Sequence, residues 1–115
     1  MMTNTTNDAA GTTDEYLAEA VHRLIEALHP EQIYLFGSRA RGDATQRSDF
    51  DLLVVVNQTA QQPYQLQRQA YRALLGLAIP IDIVVLTRDR FERRRTVTGS
   101  LPATVDREGR LLYAA

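Results

Sequence analysis

Two segments of the chain carry apolar residues at spacings of three and four, which predicts an amphipathic helix in each. The first segment follows Thr12 and Glu15, which have the spacing of a capping box, and it ends near Pro30. The second begins near Pro63, a residue favoured in a first helical turn, and ends before Pro80. The apolar positions are Leu17, Val21, Leu24, Ile25 and Leu28 in the first segment and Leu66, Ala70, Ala73, Leu74 and Leu77 in the second.

Continuous apolar runs elsewhere in the chain predict strands, because each run is short and is bounded by polar or turn-forming residues. Two short helices and a final edge strand, which follows a turn at Gly109, are expected nearer the C-terminus. The alternation of helices and strands predicts an α/β (α+β) fold with a small mixed β-sheet and helices mainly on one face. The predicted strands are residues 33–36, 52–56, 81–86 and 110–113, and the predicted short helices are residues 88–95 and 101–107.

The length of 115 residues suits a single domain with one modest core. Residues 1–13 are rich in Thr, Asn and Ala and predict a disordered leader, which leaves residues 14–115 as the domain. This leader lacks the basic and apolar parts of a signal peptide, and no apolar run reaches the length of a membrane helix. An association with a membrane is therefore not expected.

Two residue types that carry much enzyme chemistry are missing from the chain. All 13 basic residues are arginine, so a P-loop lysine, a Schiff base and a lysyl-nucleotide intermediate are excluded, and direct in-line transfer remains. The absence of cysteine excludes thiol nucleophiles and disulfides and predicts a cytoplasmic location. The net charge is -1 and the cluster Arg93-Arg94-Arg95 contains no aromatic residue, so direct binding of nucleic acid is not expected.

Three acidic residues lie in or next to the predicted strands. Asp49 and Asp51 lead into the run 52–56, and in an extended chain their side chains point to the same face, one pleat apart. Asp82 interrupts the run 81–86, where a buried acid is costly unless it is paired or bound to a metal. Neighbouring carboxylates repel each other unless a proton or cation intervenes, and Mg²⁺ prefers oxygen ligands. If the two strands are neighbours, the three acids predict a two-metal site for phosphoryl or nucleotidyl transfer.

A Gly-Ser turn follows the first predicted strand. Ser38 begins a short predicted helix and is expected to bind phosphate, while Gly37 lets the backbone approach an anion closely. An ordinary helix N-cap is the alternative for Ser38. Arg39 and Arg41 flank this turn, and contact with a triphosphate or acceptor and simple solvation both stay open for them. The candidate nucleotide-binding residues are Gly37, Ser38, Arg39 and Arg41.

These motifs together resemble those of the minimal nucleotidyltransferases (MNT), small members of the DNA polymerase beta superfamily. The resemblance implies the nucleotidyltransferase palm fold, with Asp49, Asp51 and Asp82 as catalytic residues that bind two Mg²⁺ ions. It also implies that a hydroxyl attacks the α-phosphorus of a nucleoside triphosphate, with ATP as the expected substrate. The motifs that carry it are Gly37-Ser38, Arg39-Ala40-Arg41-Gly42, Ser48-Asp49-Phe50-Asp51-Leu52, Ile81-Asp82-Ile83 and residues 106–113, within a matching region of residues 17–113.

The resemblance implies a partner as well as a reaction. Minimal domains of this kind resemble the antitoxins of gene pairs whose toxin is a helical HEPN ribonuclease, and adenylylation of the toxin silences it. One alternative is a small-molecule nucleotidyltransferase of the aminoglycoside-modifying type, although such enzymes usually carry an additional helical domain. Another alternative is an antitoxin that binds its partner without catalysis, which the intact acids disfavour.

Overall fold

A computed structural model of the chain describes residues 4–45, 48–57 and 61–115. The strands of this part of the chain form one four-stranded sheet in the order β3-β2-β1-β4. Strand β1 is antiparallel to β2 and β4, whereas β2 and β3 are parallel, so the sheet is mixed and the predicted α/β fold class is confirmed. The elements are α1 (Asn4–Leu28), β1 (Gln32–Phe36), α2 (Ser38–Arg41), β2 (Phe50–Val56), α3 (Pro63–Ala73), β3 (Ile81–Thr87), α4 (Arg88–Arg94), α5 (Leu101–Glu108) and β4 (Arg110–Ala114).

Helices cover both faces of the sheet. The long helices α1 and α3 pack on one face, where Leu24 and Leu66 meet Leu52 and neighbouring residues of β2. Helices α4 and α5 cover the opposite face, and Phe91 from α4 lies in that second apolar cluster. The prediction placed the helices mainly on one face, and the second layer is the difference. Its cause is that β2 is apolar at every position from Leu52 onward, so both sides of the strand must be buried.

The first helix begins earlier than the sequence pattern indicated. Because α1 starts at Asn4, Thr12 and Glu15 lie inside the helix, and the predicted capping box is wrong. Residues 4–13 continue the helical backbone although they were expected in the leader, because extending an existing helix needs no new nucleation. Residues 1–3 lie outside the described residues, so the leader and the domain boundary at residue 14 stay predictions. None of the described helices is both long and apolar enough to cross a bilayer.

The register of the sheet brings the predicted site together at one end. Asp51 pairs with Asp82 across the parallel strands β2 and β3, and it pairs with Phe36 across β1 and β2. The N–H of Phe50 donates to the carbonyl of Pro80 at 2.9 Å, which extends this pairing beyond the start of β3. The first residues of β2 and β3 and the last residue of β1 therefore lie at the same end of the sheet.

Side chains of α3 bind the outer edge of β3. The Gln67 carboxamide donates to the carbonyl of Ile83 and accepts from the N–H of Val85 at 3.2 Å. The hydroxyl of Tyr71 accepts from the N–H of Ile83 at 3.0 Å. These bonds satisfy main-chain groups that an edge strand otherwise exposes to other chains. Helix α3 therefore fixes the strand that carries Asp82.

Candidate active site

Two of the predicted acids, Asp51 and Asp82, lie on one face of the sheet at the end described above, and the third, Asp49, is close enough for its charge to act on Asp51. Asp51 and Asp82 are direct neighbours across β2 and β3, and Asp49 precedes the first residue of β2. Asp49 and Asp82 are exposed, whereas Asp51 is partly buried. The sequence suggested that Asp82 would be a costly buried acid, and its exposure shows that this expectation is wrong. Asp82 is instead placed by its register with Asp51, at the open end of the strand.

The charges of the other two acids affect the pKa of the partly buried Asp51. Burial, the charge of Asp82 and the charge of Asp49 raise the pKa of Asp51, in that order of importance, while Arg41 acts in the opposite direction. Each of these charge effects requires groups that are close to one another in space. The site is therefore a cluster of mutually repelling carboxylates with one arginine nearby.

The chemistry of this cluster fits a divalent cation. Within residues 4–45, 48–57 and 61–115, no three acidic or histidine side chains already stand at the spacing of metal ligands. The three acids offer carboxylate oxygens, the ligands that Mg²⁺ prefers. Burial and then the charges of Asp82 and Asp49 raise the pKa of Asp51, and a cation would relieve the repulsion among these charges. The exposed side chains of Asp49 and Asp82 can change rotamer rapidly, so Asp51 is the most fixed member of the set.

Gly37 makes room for Asp51. Its φ of 74° and ψ of -158° belong to a region of backbone conformation that is accessible essentially only to glycine. A Cβ atom at this position would also collide with the carboxylate of Asp51. The sequence predicted a glycine that admits phosphate to the backbone, and the structure shows a glycine that admits a candidate catalytic carboxylate. The Gly-Ser turn and the acid of β2 are thus in direct contact.

Ser38 is the first residue of α2. Gly37 is the N-cap of this short helix, so the alternative interpretation of Ser38 as the N-cap is wrong. The turn is closed by the N–H groups of Ala40 and Arg41, which donate to the Gly37 carbonyl at 3.0 and 3.1 Å. The N–H groups at the very start of a helix precede its regular hydrogen bonds, and such groups are suited to anions. The turn adjoins Asp51, and phosphate binding by Ser38 stays a prediction.

The two arginines of α2 have different surroundings. Arg41 is exposed, pairs with the exposed Asp43 at 3.3 Å, and its charge lowers the pKa of Asp51. The guanidinium of Arg39 instead donates to the main-chain carbonyl of Ser48, at 2.9 and 3.3 Å, and lies 4.2 Å from the ring centroid of Phe50. The charge of Arg41 therefore acts on Asp51, and Arg39 is engaged with the chain around Asp49.

The loop before β2 is also held by Ser48. The N–H of Thr45 donates to the Ser48 hydroxyl at 2.9 Å, and the N–H of Ser48 donates to the Thr45 carbonyl at 3.1 Å. Residues 46 and 47 of this loop lie outside the described residues. The sequence did not identify Phe50 as part of the site, because an aromatic residue between two acids looks like an ordinary buried strand residue.

Two arginines of the cluster Arg93-Arg94-Arg95, at the C-terminal end of α4, form ion pairs with nearby acids. Arg93 pairs with Asp89 at 3.0 Å, and Arg95 pairs with Glu92 at 2.9 Å and with Asp106 at 3.5 Å. The charges of these two arginines are thus opposed at the surface itself, and the expected lack of nucleic-acid binding stays a prediction.

Comparison with known proteins adds three relatives. A protein of Methanocaldococcus jannaschii named "Putative protein adenylyltransferase MJ0604" is 34% identical over 83 residues, which are 72% of this chain and 78% of that protein. A structure named as a putative nucleotidyltransferase from Sulfolobus solfataricus has a TM-score of 0.62 at 24% identity and covers 87% of this chain and 78% of its own. A toxin-antitoxin structure with AMP-PNP has a TM-score of 0.52 at 24% identity, with coverages of 84% and 72%.

The family follows from the match along the chain itself. Residues 15–108 match the family described as nucleotidyltransferase domain, and this region contains the Gly-Ser turn and all three acids. The resemblance seen in the sequence motifs is therefore confirmed. The chain belongs to the nucleotidyltransferase domain family.

Proposed function

We propose that this nucleotidyltransferase moves AMP from ATP onto a hydroxyl group of a partner protein, in a reaction that depends on Mg²⁺. The observation that carries the proposal is the register of the two parallel strands, which places Asp51 beside Asp82 while Gly37 packs against the Asp51 carboxylate. This contact places a turn that is suited to binding phosphate next to a cluster of acids that is suited to binding cations. A nucleoside triphosphate with its bound cation requires both features at once.

Each side of the site has its own part in the proposed reaction. The turn at Ser38 and the guanidinium of Arg41 bind the phosphate oxygens, whose negative charge their N–H groups oppose. Asp49, Asp51 and Asp82 would hold the cations, and Asp82 would also receive the proton of the attacking hydroxyl. Bound as a pair, Mg²⁺ ions would neutralise the attacking and leaving oxygens. The acceptor oxygen bonds to the α-phosphorus, the bond from that phosphorus to the bridging oxygen breaks, and pyrophosphate leaves.

The protein acceptor is supported by the relatives. The relative from Methanocaldococcus jannaschii is named for transfer of adenylyl groups to protein, and the toxin-antitoxin structure contains AMP-PNP, an ATP analogue. We propose that the acceptor is a toxin of the helical HEPN type and that its adenylylation silences it. The cysteine-free composition and the use of ATP favour the cytoplasm as the place of the reaction.

The test uses ATP labelled in two positions. The purified protein is incubated with Mg²⁺ and a helical HEPN-type protein as the proposed acceptor, with ATP labelled on the α-phosphorus in one reaction and on the γ-phosphorus in another. We expect label on the partner only from the α position, together with release of pyrophosphate. Mass spectrometry of the partner should show the gain of one or more AMP groups. Transfer of the γ label, or no gain with any nucleotide, would contradict the proposal.

A charge-removing variant separates catalysis from simple binding. Asp51→Asn should lower the transfer rate by roughly 10³-fold or more, because it removes a negative group aimed at the cations. Asp89→Asn on α4, far along the chain from the site, is the matched control and should keep the wild-type rate. If Asp51→Asn still transfers AMP at the wild-type rate, the assignment of the cluster as the catalytic centre fails.

A further inference from the structure

Arg39 holds the chain on both sides of Asp49. Its Nε and one terminal nitrogen donate to the carbonyl of Ser48, the residue before Asp49, at 3.3 and 2.9 Å. The same guanidinium lies 4.2 Å from the ring centroid of Phe50, the residue after Asp49. The Arg39 side chain therefore contacts both residues that flank Asp49, a candidate metal ligand.

The sheet supports Asp49 from its C-terminal side, through the bond from the N–H of Phe50 to the carbonyl of Pro80, and the chain before Asp49 depends on other contacts. The pairing between β2 and β3 begins at Phe50, so Asp49 lies just outside the ladder, and its side chain is exposed. The preceding loop is held locally by the bonds between Thr45 and Ser48. Arg39 links this loop to a different element, α2.

Arg39 also lies within the turn that is proposed to bind phosphate. It follows Ser38, and its neighbours Ala40 and Arg41 donate to the Gly37 carbonyl. A displacement of α2 would consequently pull on the Ser48 carbonyl through the Arg39 side chain. The nucleotide side of the site and the acid Asp49 are thereby connected through one guanidinium.

The chemistry of the contact requires arginine. A planar guanidinium can direct two N–H groups to one carbonyl while its flat face rests on an aromatic ring. A lysine ammonium keeps the positive charge but has no flat face and no pair of parallel donors. Lysine at this position is therefore a test that removes the geometry and preserves the charge.

We propose that Arg39 is a positioning residue, which fixes Asp49 relative to the Gly37-Ser38 turn and so sets the affinity of the site for its cation. The proposal rests on the proposed function in so far as Asp49 is a cation ligand. Partners that orient a metal ligand typically change metal affinity by about 10- to 100-fold when they are removed. The alternative role for Arg39, a direct contact with the triphosphate, makes different predictions.

The experiment compares Arg39→Lys and Arg39→Ala with Arg68→Lys, a control at an arginine of α3. Calorimetric titration with Mg²⁺, without nucleotide, should show binding about 10-fold weaker or more in both Arg39 variants. ATP binding measured in the presence of EDTA should be unchanged, and raising the Mg²⁺ concentration should restore much of the transfer rate. Amide hydrogen exchange at residues 48–50 should be faster in both Arg39 variants and unchanged in the control.

The outcomes separate the two roles and the two proposals. If EDTA-treated Arg39→Lys loses ATP affinity while its Mg²⁺ affinity stays normal, Arg39 is a triphosphate ligand and the positioning proposal is overturned. Unchanged hydrogen exchange at residues 48–50 would overturn it too. Failure of the wild-type protein to transfer the α label would overturn the proposed function, whereas the exchange result would still decide whether Arg39 holds Asp49.

Discussion

The two ends of the β2–β3 strand pair differ in their side chains, because one end is apolar and the other carries carboxylates. At one end, Leu53 and Val55 are covered by Phe91 and Val105 on one face, and the other face packs against α1 and α3. At the other end, Asp51 faces Asp82, and burial and like charges raise its pKa. Packing at the apolar end fixes the register. This register holds Asp51 beside Asp82, although their like charges repel each other. Stability and function are thus concentrated at different ends of the same two strands.

The largest loss of stability is expected when packing at the apolar end is weakened. Phe91 is 1% exposed and stacks with Tyr34 at a centroid distance of 5.6 Å, so Phe91→Ala should lower the free energy of unfolding by about 3–5 kcal/mol. Urea denaturation measures this loss. Tyr64→Ala, at a residue that is 60% exposed, should change stability by no more than about 0.5 kcal/mol.

The same variant tests whether the ends are separable. At a temperature where Phe91→Ala is still folded, its rate of AMP transfer should stay close to that of the wild type, because the buried neighbours of Phe91 in its cluster are the apolar Leu53, Val55 and Val105. A folded Phe91→Ala protein without activity would show that the apolar end contributes to the chemistry directly.

A second, smaller effect is expected where the polar end meets the turn. Gly37→Ala introduces backbone strain worth about 1–3 kcal/mol and also a collision with the Asp51 carboxylate. Gly76→Ala is the matched control, because Gly76 has a φ of 91° but open space around its Cβ position, so it reports backbone strain alone. We expect the larger loss of stability in Gly37→Ala, measured by thermal or urea unfolding.

A double variant isolates the collision. Adding Asp51→Ala to Gly37→Ala should recover part of the lost stability, because it removes the carboxylate that the new methyl group meets. Strictly additive effects of the two substitutions would mean that the glycine is required only for its backbone conformation.

The smallest expected effect is a dependence of stability on pH. Because the pKa of Asp51 is raised in the folded protein, the folded state binds more protons than the unfolded state between the ordinary aspartate pKa and the raised one. Without metal, stability should therefore fall as the pH rises through this interval. Asp51→Asn should lack this fall and be more stable than the wild type at neutral pH in EDTA.

Unfolding curves over a pH series measure this difference, with Asp89→Asn as the control that should keep the wild-type slope. Mg²⁺ should reverse the order of stability, because it binds the folded wild type and not the neutral variant. A wild-type protein whose stability in EDTA rises over the same interval would contradict the expected direction.

Sequence periodicity predicted much of the fold, because the relevant signals are local. The apolar stripe that includes Leu24 predicted α1, and the separate apolar runs predicted three strands close to their observed bounds. The side-chain alternation of an extended chain predicted that Asp49 and Asp51 share a face, and the pairing of β2 with β3 then brought Asp82 beside them. The polar start of α1 at Asn4 carries no apolar stripe, so periodicity could not detect it.

The contacts that organise the site were not predictable in the same way. The approach of Gly37 to Asp51 depends on the antiparallel register of β1 and β2, which no local pattern encodes. The exposure of Asp82 and the hydrogen bonds from Arg39 to the Ser48 carbonyl depend on where the strands end in space. A motif can name the residues of such a site, but the distances among them are tertiary properties.

The bonds from α3 to β3 limit how another protein can reach the site. Partners that bind by adding a strand to a sheet need free main-chain groups at its border. At β3, the carbonyl and N–H of Ile83 and the N–H of Val85 are already bonded to Gln67 and Tyr71. Strand addition at these residues would first have to displace α3. A protein acceptor would therefore have to approach Asp82 without extending the sheet at this border.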